Sequence, residues 1–408
     1  MNIKTLTCLI GTFGLTQHAI ANTNEQIEKG KYLAEMSDCY ACHTIEGGEP
    51  YGGGLPFVTP FGTVYSTNIT PNSDEGIGHY SYQDFYDALH NGGAPGGHLY
   101  PAMPYTSFTG INDDDTQALF AYFQSIKPSS QPNKDNDMMF PANLRFGLNA
   151  WDILNLEDVD YSPVAGKSAE WNRGNYIVNT FGHCGECHTP RNIMMGMDSE
   201  RHLQGAMIGS VFAPNITPAY LNQQGWSTQD IKDMLLHGYS RKGTVVGEMY
   251  EAIFHSLSKF DEDDLNAAAI YLLDSDNNVE GKALTFRPDN AQSEGRELYQ
   301  AFCANCHGHE GQGKPNYAPS MQGNGTLSQD NHFNSVSAIL YGIKPQYYTP
   351  TNAFFTMPGY DKQLSDEDLM HLLNYLTATY TENSAQLSVE QTKEIRTSVM
   401  ESQENATH

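Results

Sequence analysis

Positive charge is scarce in this chain. Its 408 residues hold 22 Lys and Arg against 48 Asp and Glu, a formal net charge of −26 at pH 7. Such a surface repels nucleic acid and anionic lipid. It suits either a basic face on a protein partner, met in a salt-sensitive way, or simple solubility in a salty habitat. Long hydrophobic runs are missing as well: beyond the N-terminus no segment reaches roughly 18 continuous apolar residues, so no membrane-spanning helix is expected. The mean hydropathy of −0.50 agrees. No Gly-x-Gly-x-x-Gly loop is present to cradle a dinucleotide. Cysteine is limited to seven residues, and the placement of six of them is the chain's most informative feature.

Those six form three pentapeptides: Cys39-Tyr40-Ala41-Cys42-His43, Cys184-Gly185-Glu186-Cys187-His188 and Cys303-Ala304-Asn305-Cys306-His307. Cys-x-x-Cys-His is the spacing of c-type haem attachment. Two thiols bond to the haem vinyl groups and the adjacent His binds the iron. A zinc site wants a second ligand pair at a defined spacing, and a redox dithiol expects a βαβ setting. Neither accounts for a His directly after the second Cys three times over. The pattern predicts three covalently bound haem c groups.

Cys8, the seventh, stands apart. Lys4, an apolar stretch from Leu6 to Leu15 and the small-x-small end Ala19-Ile20-Ala21 read as an export signal over residues 1–21. Cys8 leaves with that signal, and the mature chain keeps only haem cysteines and no disulfide. In a bacterium this implies the periplasm, where c-type haem is attached.

The chain also repeats itself. Upstream of each Cys pair lies a helix-like segment with Gly and an aromatic: Gly30-Lys31-Tyr32-Leu33, Gly174-Asn175-Tyr176-Ile177, and Gly295 followed by Leu298-Tyr299. Downstream lies a second helix, at Asp115 to Phe123, Asp261 to Leu273 and Ser365 to Leu376. Each carries a matching aromatic, Tyr122, Tyr271 or Tyr375, and acidic residues crowd its start, where the helix dipole favours them. Ser66-Thr67-Asn68-Ile69-Thr70-Pro71 parallels Ala213-Pro214-Asn215-Ile216-Thr217-Pro218, and Ser81 and Ser227 look like N-caps of a middle helix. The repeat explains the two Asn-Ile-Thr strings better than glycosylation does. The expected organisation is a chain of three tandem haem domains. The signal occupies 1–21 and the domains 22–130, 171–275 and 291–380. Linkers fall at 131–170 and 276–290, and a polar, solvated tail at 381–408.

An iron held by one His needs a sixth ligand or an open position, and a Met there raises the potential and suits electron transfer. Position selects three methionines. Met103, in Pro101-Ala102-Met103-Pro104, comes 60 residues after His43; Met249, in Gly247-Glu248-Met249, comes 61 after His188; Met357, in Thr356-Met357-Pro358-Gly359, comes 50 after His307. Flanking Pro and Gly stiffen each loop. His90, His98, His183, His237, His255 and His309 are the competitors, read as surface or propionate-contacting residues.

The strings Gly53-Gly54-Leu55-Pro56, Thr59-Pro60-Phe61-Gly62-Thr63-Val64-Tyr65-Ser66, Leu99-Tyr100-Pro101-Ala102-Met103-Pro104-Tyr105 and Gly182-His183-Cys184-Gly185-Glu186-Cys187-His188-Thr189-Pro190-Arg191 resemble the triheme cytochrome c subunit of membrane-bound sugar, gluconate and alcohol dehydrogenases. The resemblance runs through Tyr380. It implies an all-α fold of three tandem class-I-like cytochrome c domains, with axial roles for Met103, Met249 and Met357. It also implies a non-catalytic electron-accepting subunit beside a flavoprotein or quinoprotein dehydrogenase that oxidises CH–OH donors. Electrons would leave to quinone, a terminal oxidase or another cytochrome. Some members carry a hydrophobic or amphipathic C-terminal anchor, whereas this tail is polar, so membrane association at the periplasmic face of the inner membrane would run through a partner. Two other readings stand beside it: a multihaem peroxidase-type enzyme, with the second haem as the open one, and a free periplasmic electron shuttle.

Overall fold

The computed structural model describes residues 11–288, 293–349, 352–382 and 386–406. Cys8 and the start of the segment expected as an export signal lie outside them. The chain divides into two compact units: one runs to Asp160 and includes Thr180–Gly182, and the other comprises Tyr161–Asn179 and the chain from His183 onward.

The first unit contains α1 (Gly11–Met36), α2 (Cys39–Cys42), β1 (Pro56–Thr59), β2 (Gly62–Tyr65), α3 (Tyr82–Asn91), α4 (Tyr105–Phe108), α5 (Asp113–Ser125), β3 (Asp137–Met138) and α6 (Leu148–Asn155). The second unit holds α7 (Ala169–Asn179), α8 (Gly185–His188), β4 (Ala206–Ile208), β5 (Val211–Ala213), α9 (Pro218–Gln223), α10 (Thr228–His237), β6 (Tyr239–Ser240), β7 (Gly243–Thr244), α11 (Glu248–His255) and α12 (Glu262–Leu272). It continues with α13 (Ser293–Phe302), α14 (Ala304–His307), α15 (Phe333–Tyr341), β8 (Gln346–Thr349), β9 (Asn352–Phe354), α16 (Asp366–Tyr380) and α17 (Val389–Ala406).

Three helix pairs make the framework: α1 with α5, α7 with α12, and α13 with α16. The repeated glycines explain how closely they cross. A Cβ on Gly30 would overlap the Ala118 carbonyl and the Tyr122 side chain; on Gly174, the Ala267 carbonyl and Tyr271; on Gly295, the His371 carbonyl and Tyr375. The repeated Gly and the repeated aromatic are thus two halves of one contact, in which the Tyr Cβ closes on the spot where the backbones meet. The residue before the glycine clasps the first two pairs. Lys29 meets Asp115 at 2.6 Å, and Arg173 grips Asp264 with two bonds of 2.7 Å. In the third pair Glu294 occupies that place and meets His371 at 3.3 Å.

Local chemistry sets the helix ends. Ser81, Ser227 and Ser365 each close a capping box with the Asp three residues on. Asn112 and Asp261 cap α5 and α12 by accepting from the backbone N–H of Asp115 and Asp264.

Three features differ from the expected organisation. The structure is 45% helical but 9% strand, because short antiparallel hairpins, β1/β2, β4/β5, β6/β7 and β8/β9, carry the loops. The segment expected as a connector after residue 130 packs on the first unit. β3 pairs with β2, and the Asn133 and Asn136 side chains accept from the backbone N–H of Asn68 and Tyr65. The polar tail forms α17, docked on α15 and α16. Val399 is fully buried, and Leu387 and Ile395 pack on the core beside it. Two apolar side chains on one face, with Leu387 just ahead of the helix, hold a helix that is otherwise largely polar.

Candidate haem centres

Each pentapeptide sits on a single helical turn, α2, α8 or α14. The backbone N–H of His43 donates to Cys39 O at 2.9 Å, that of His188 to Cys184 O at 2.9 Å, and that of His307 to Cys303 O at 3.0 Å. One turn therefore brings the first Cys and the His onto the same side.

The chain then returns to hold the imidazole. The β1/β2 hairpin ends just before Thr67, whose carbonyl lies 2.7 Å from His43 Nδ1. The β4/β5 hairpin ends just before Pro214, whose carbonyl lies 2.7 Å from His188 Nδ1. After the third pentapeptide a single bridge between Lys314 and Ala318 replaces the hairpin, and the Pro319 carbonyl lies 2.9 Å from His307 Nδ1. A carbonyl only accepts, so Nδ1 carries the hydrogen in all three rings. Burial pushes each imidazole below its ordinary range, which keeps it neutral. A neutral ring protonated at Nδ1 presents the Nε2 lone pair to a metal.

A second bond recurs on the backbone of the same residue. The carbonyls of His43, His188 and His307 accept from Gly53, Gly205 and Gly313 at 2.8, 2.7 and 2.8 Å. All three glycines have positive φ. A Cβ at Gly53 would run into Thr67, the residue that supplies the holding carbonyl.

None of the six thiols is joined in a disulfide. Burial, reinforced by the neighbouring thiol, pushes Cys184 and Cys303 up to about 12 and raises Cys39 further. A redox dithiol needs the opposite shift. Among the described residues no three His, Cys, Asp or Glu side chains gather as a metal cluster, which removes the zinc reading's second ligand pair.

The three methionines are half-buried and held by backbone bonds. Met103 N donates to Tyr100 O at 3.0 Å, and its carbonyl accepts from Tyr105 at 2.8 Å. Met249 is the second residue of α11, which starts at Gly247 with φ 62°. Met357 exchanges two bonds of 2.9 Å with Ile343 and packs on the same core as Cys303. Competing histidines are engaged elsewhere. His90 uses both nitrogens, on Thr109 O and Thr116 Oγ1. His98 uses both on Leu99 O and Asp152. His309 is bonded to Gln300, and His255 to Glu251.

The cytochrome c family matches residues 27–127 and 292–379. The fructose dehydrogenase cytochrome subunit of Gluconobacter japonicus is 36% identical over 91% of this chain and 82% of its own length. The gluconate 2-dehydrogenase cytochrome c subunit of Pantoea cypripedii is 34% identical over 92% of this chain and 90% of its own. The cytochrome c subunit of the quinone-type alcohol dehydrogenase of Gluconacetobacter polyoxogenes is 35% identical over 87% and 80%. The chain belongs to this family of dehydrogenase cytochrome c subunits. Haem c is its cofactor and electron transport its work. Two separate stretches match, so this family member carries more than one haem. The residues present fit that group: paired thiols within one helical turn of an imidazole whose Nδ1 is held by a carbonyl, so that Nε2 faces a metal.

Sequence reasoning singled out the Cys-x-x-Cys-His turns but not the carbonyls that meet their imidazoles. Two of those, Thr67 and Pro214, lie at equivalent places in the Asn-Ile-Thr strings. There Asn68 Oδ1 and Asn215 Oδ1 each bond the N–H and the hydroxyl of the Thr two residues on. Asn68 Nδ2 is committed to Ser129 O and Gln131 O, so this asparagine is structural. The string was visible as a repeat, and its job was not.

Proposed function

We propose that this chain is the triheme electron-transfer subunit of a periplasmic oxidoreductase complex. One haem c is attached at Cys39 and Cys42, a second at Cys184 and Cys187, and a third at Cys303 and Cys306. His43, His188 and His307 take one axial position of each iron, and Met103, Met249 and Met357 the other. Each haem belongs with one helix pair, giving three cytochrome domains, and export removes residues 1–21. When bound, the groups supply reversible one-electron chemistry. The protein's part is to fix the imidazole tautomer, clamp the thioether loop and limit water. The partner is a flavoprotein or quinoprotein dehydrogenase oxidising a sugar, gluconate or alcohol, and the acceptor is quinone or another respiratory carrier.

The observation that carries this is the threefold Nδ1-to-carbonyl bond behind each Cys-x-x-Cys-His turn. Commitment of His90, His98, His255 and His309 elsewhere favours Met over those four as the second ligand. Among the described residues no helix is long and apolar enough to cross a membrane, so attachment to the membrane would run through the partner. The test is to mix the purified, fully oxidised protein with fructose, gluconate and ethanol, alone and with a co-purified dehydrogenase. Reduction only in the presence of the second protein supports the subunit reading. Rapid reduction by substrate alone contradicts it.

A further inference from the structure

The second and third haem-binding regions lie in one compact unit, and an aromatic cluster joins their methionine loops. The β8/β9 hairpin, which leads to Met357, lays Tyr348 against Tyr250, the residue after Met249, with ring centroids 5.5 Å apart in an edge-to-face arrangement. Tyr348 also meets Tyr239 at 5.6 Å and Phe354 at 5.7 Å. Its hydroxyl donates to Val245 O at 2.7 Å, four residues before Met249. The reverse bond exists too: Tyr250 donates to Tyr347 O at 2.8 Å. Tyr239 completes the lattice through the Asn352 side chain. Behind it the two regions are pinned by Asn334, whose amide both donates to and accepts from the Phe212 backbone at 2.7 and 2.9 Å, and by Gly325 N–H on Lys242 O at 2.7 Å. A loop braced at its start by a hydrogen bond and beside its methionine by a ring has little freedom to swing out.

We propose that Tyr348, carried by the third region, is a positioning residue for the Met249 loop of the second, so that the potential of the second haem is set partly from outside its own domain. The inference rests on the axial role assigned to Met249. Losing the ring opens a gap beside α11. Water entering there favours the more highly charged oxidised state and lowers the potential.

The test is a spectroelectrochemical titration of the intact triheme protein. Met249→His and Met357→His identify which of the three potentials belongs to which loop. Tyr348→Ala then lowers the potential that Met249→His moves, by roughly a tenfold change in that haem's reduction equilibrium, about 59 mV for one electron. It also weakens about a third of the near-infrared thioether band. Tyr348→Phe, which keeps the ring and loses the bond to Val245 O, gives a smaller shift of the same sign and decides alone should the alanine variant not fold. Tyr347→Ala, at a side chain 67% exposed, leaves all three potentials in place. No shift in the Tyr348 variants, or a shift only in the potential tied to Met357, overturns the proposal. Should Met249→His itself move nothing, the ligand assignment falls without recourse to any Tyr348 variant, and the brace falls with it.

Discussion

Nδ1 of His43, His188 and His307 is occupied by a returning carbonyl, which leaves Nε2 as the nitrogen able to meet a metal, and the three chain segments that supply the carbonyl lie at unequal distances. Thr67 is 24 residues from His43, Pro214 is 26 from His188, and Pro319 is only 12 from His307. That spread is why the pentapeptides were legible in the sequence and their carbonyl partners were not. Covalent attachment fixes a local spacing, whereas a returning loop of any length can deliver a carbonyl. The methionines fall between these cases, since Pro and Gly flanks mark them and only the fold can show what holds them. At this scale, replacing Met103, Met249 or Met357 singly with His should keep all haems bound and lower one potential of three, because imidazole stabilises ferric iron more than a thioether does. Redox titration reads this directly, and an unchanged set of potentials in any one variant removes that methionine as a ligand. Thr189 shows a smaller omission. Its hydroxyl accepts from Leu203 N–H at 3.0 Å and so ties the residue after His188 to the loop beyond it, with no motif to announce it.

Helix pairs locked through a glycine make the elements stable and intolerant. Gly174→Val forces a branched side chain into the Ala267 carbonyl. It should cost about 3 kcal/mol, a fall in Tm of roughly 6–12 °C for that unit, measurable by circular dichroism. An unchanged Tm would mean the pair does not cross so closely. The capping box of α10 carries a pH signature. Burial works against ionisation of Asp230, but bonds from Arg241 and Ser227 outweigh it and hold the carboxyl below its ordinary value of 3.8. A lowered folded value means its stabilisation is complete above the ordinary value and is lost as pH falls below it. Asp230→Asn should therefore lower Tm at neutral pH and flatten the decline of Tm below about pH 4. A parallel decline in both proteins contradicts this. The long helices and their caps could be read from periodicity and Ser-x-x-Asp spacing. The two- to four-residue strands could not, because so short a run carries no period. Nor could α17, because Ile395 and Val399, with Leu387 just ahead of the helix, are too sparse in the sequence to distinguish a docked helix from a solvated one.

For the whole molecule, the excess of 48 acidic over 22 basic residues makes association with a basic partner face a long-range attraction that salt screens within about 8–10 Å. Reduction of this cytochrome by its dehydrogenase should slow as ionic strength rises, with the slope read by stopped-flow. A rate independent of salt would place the docking face elsewhere than on the acidic surface. The recurrence of one architecture three times, a glycine-crossed helix pair, a Cys-x-x-Cys-His turn and a returning carbonyl, leads to the central claim that each repeat carries its own haem. The intact mass of the exported protein tests it most directly. The account predicts a chain beginning at Asn22 plus three covalent haems; a mass fitting two haems or fewer, or one that retains Cys8, contradicts it.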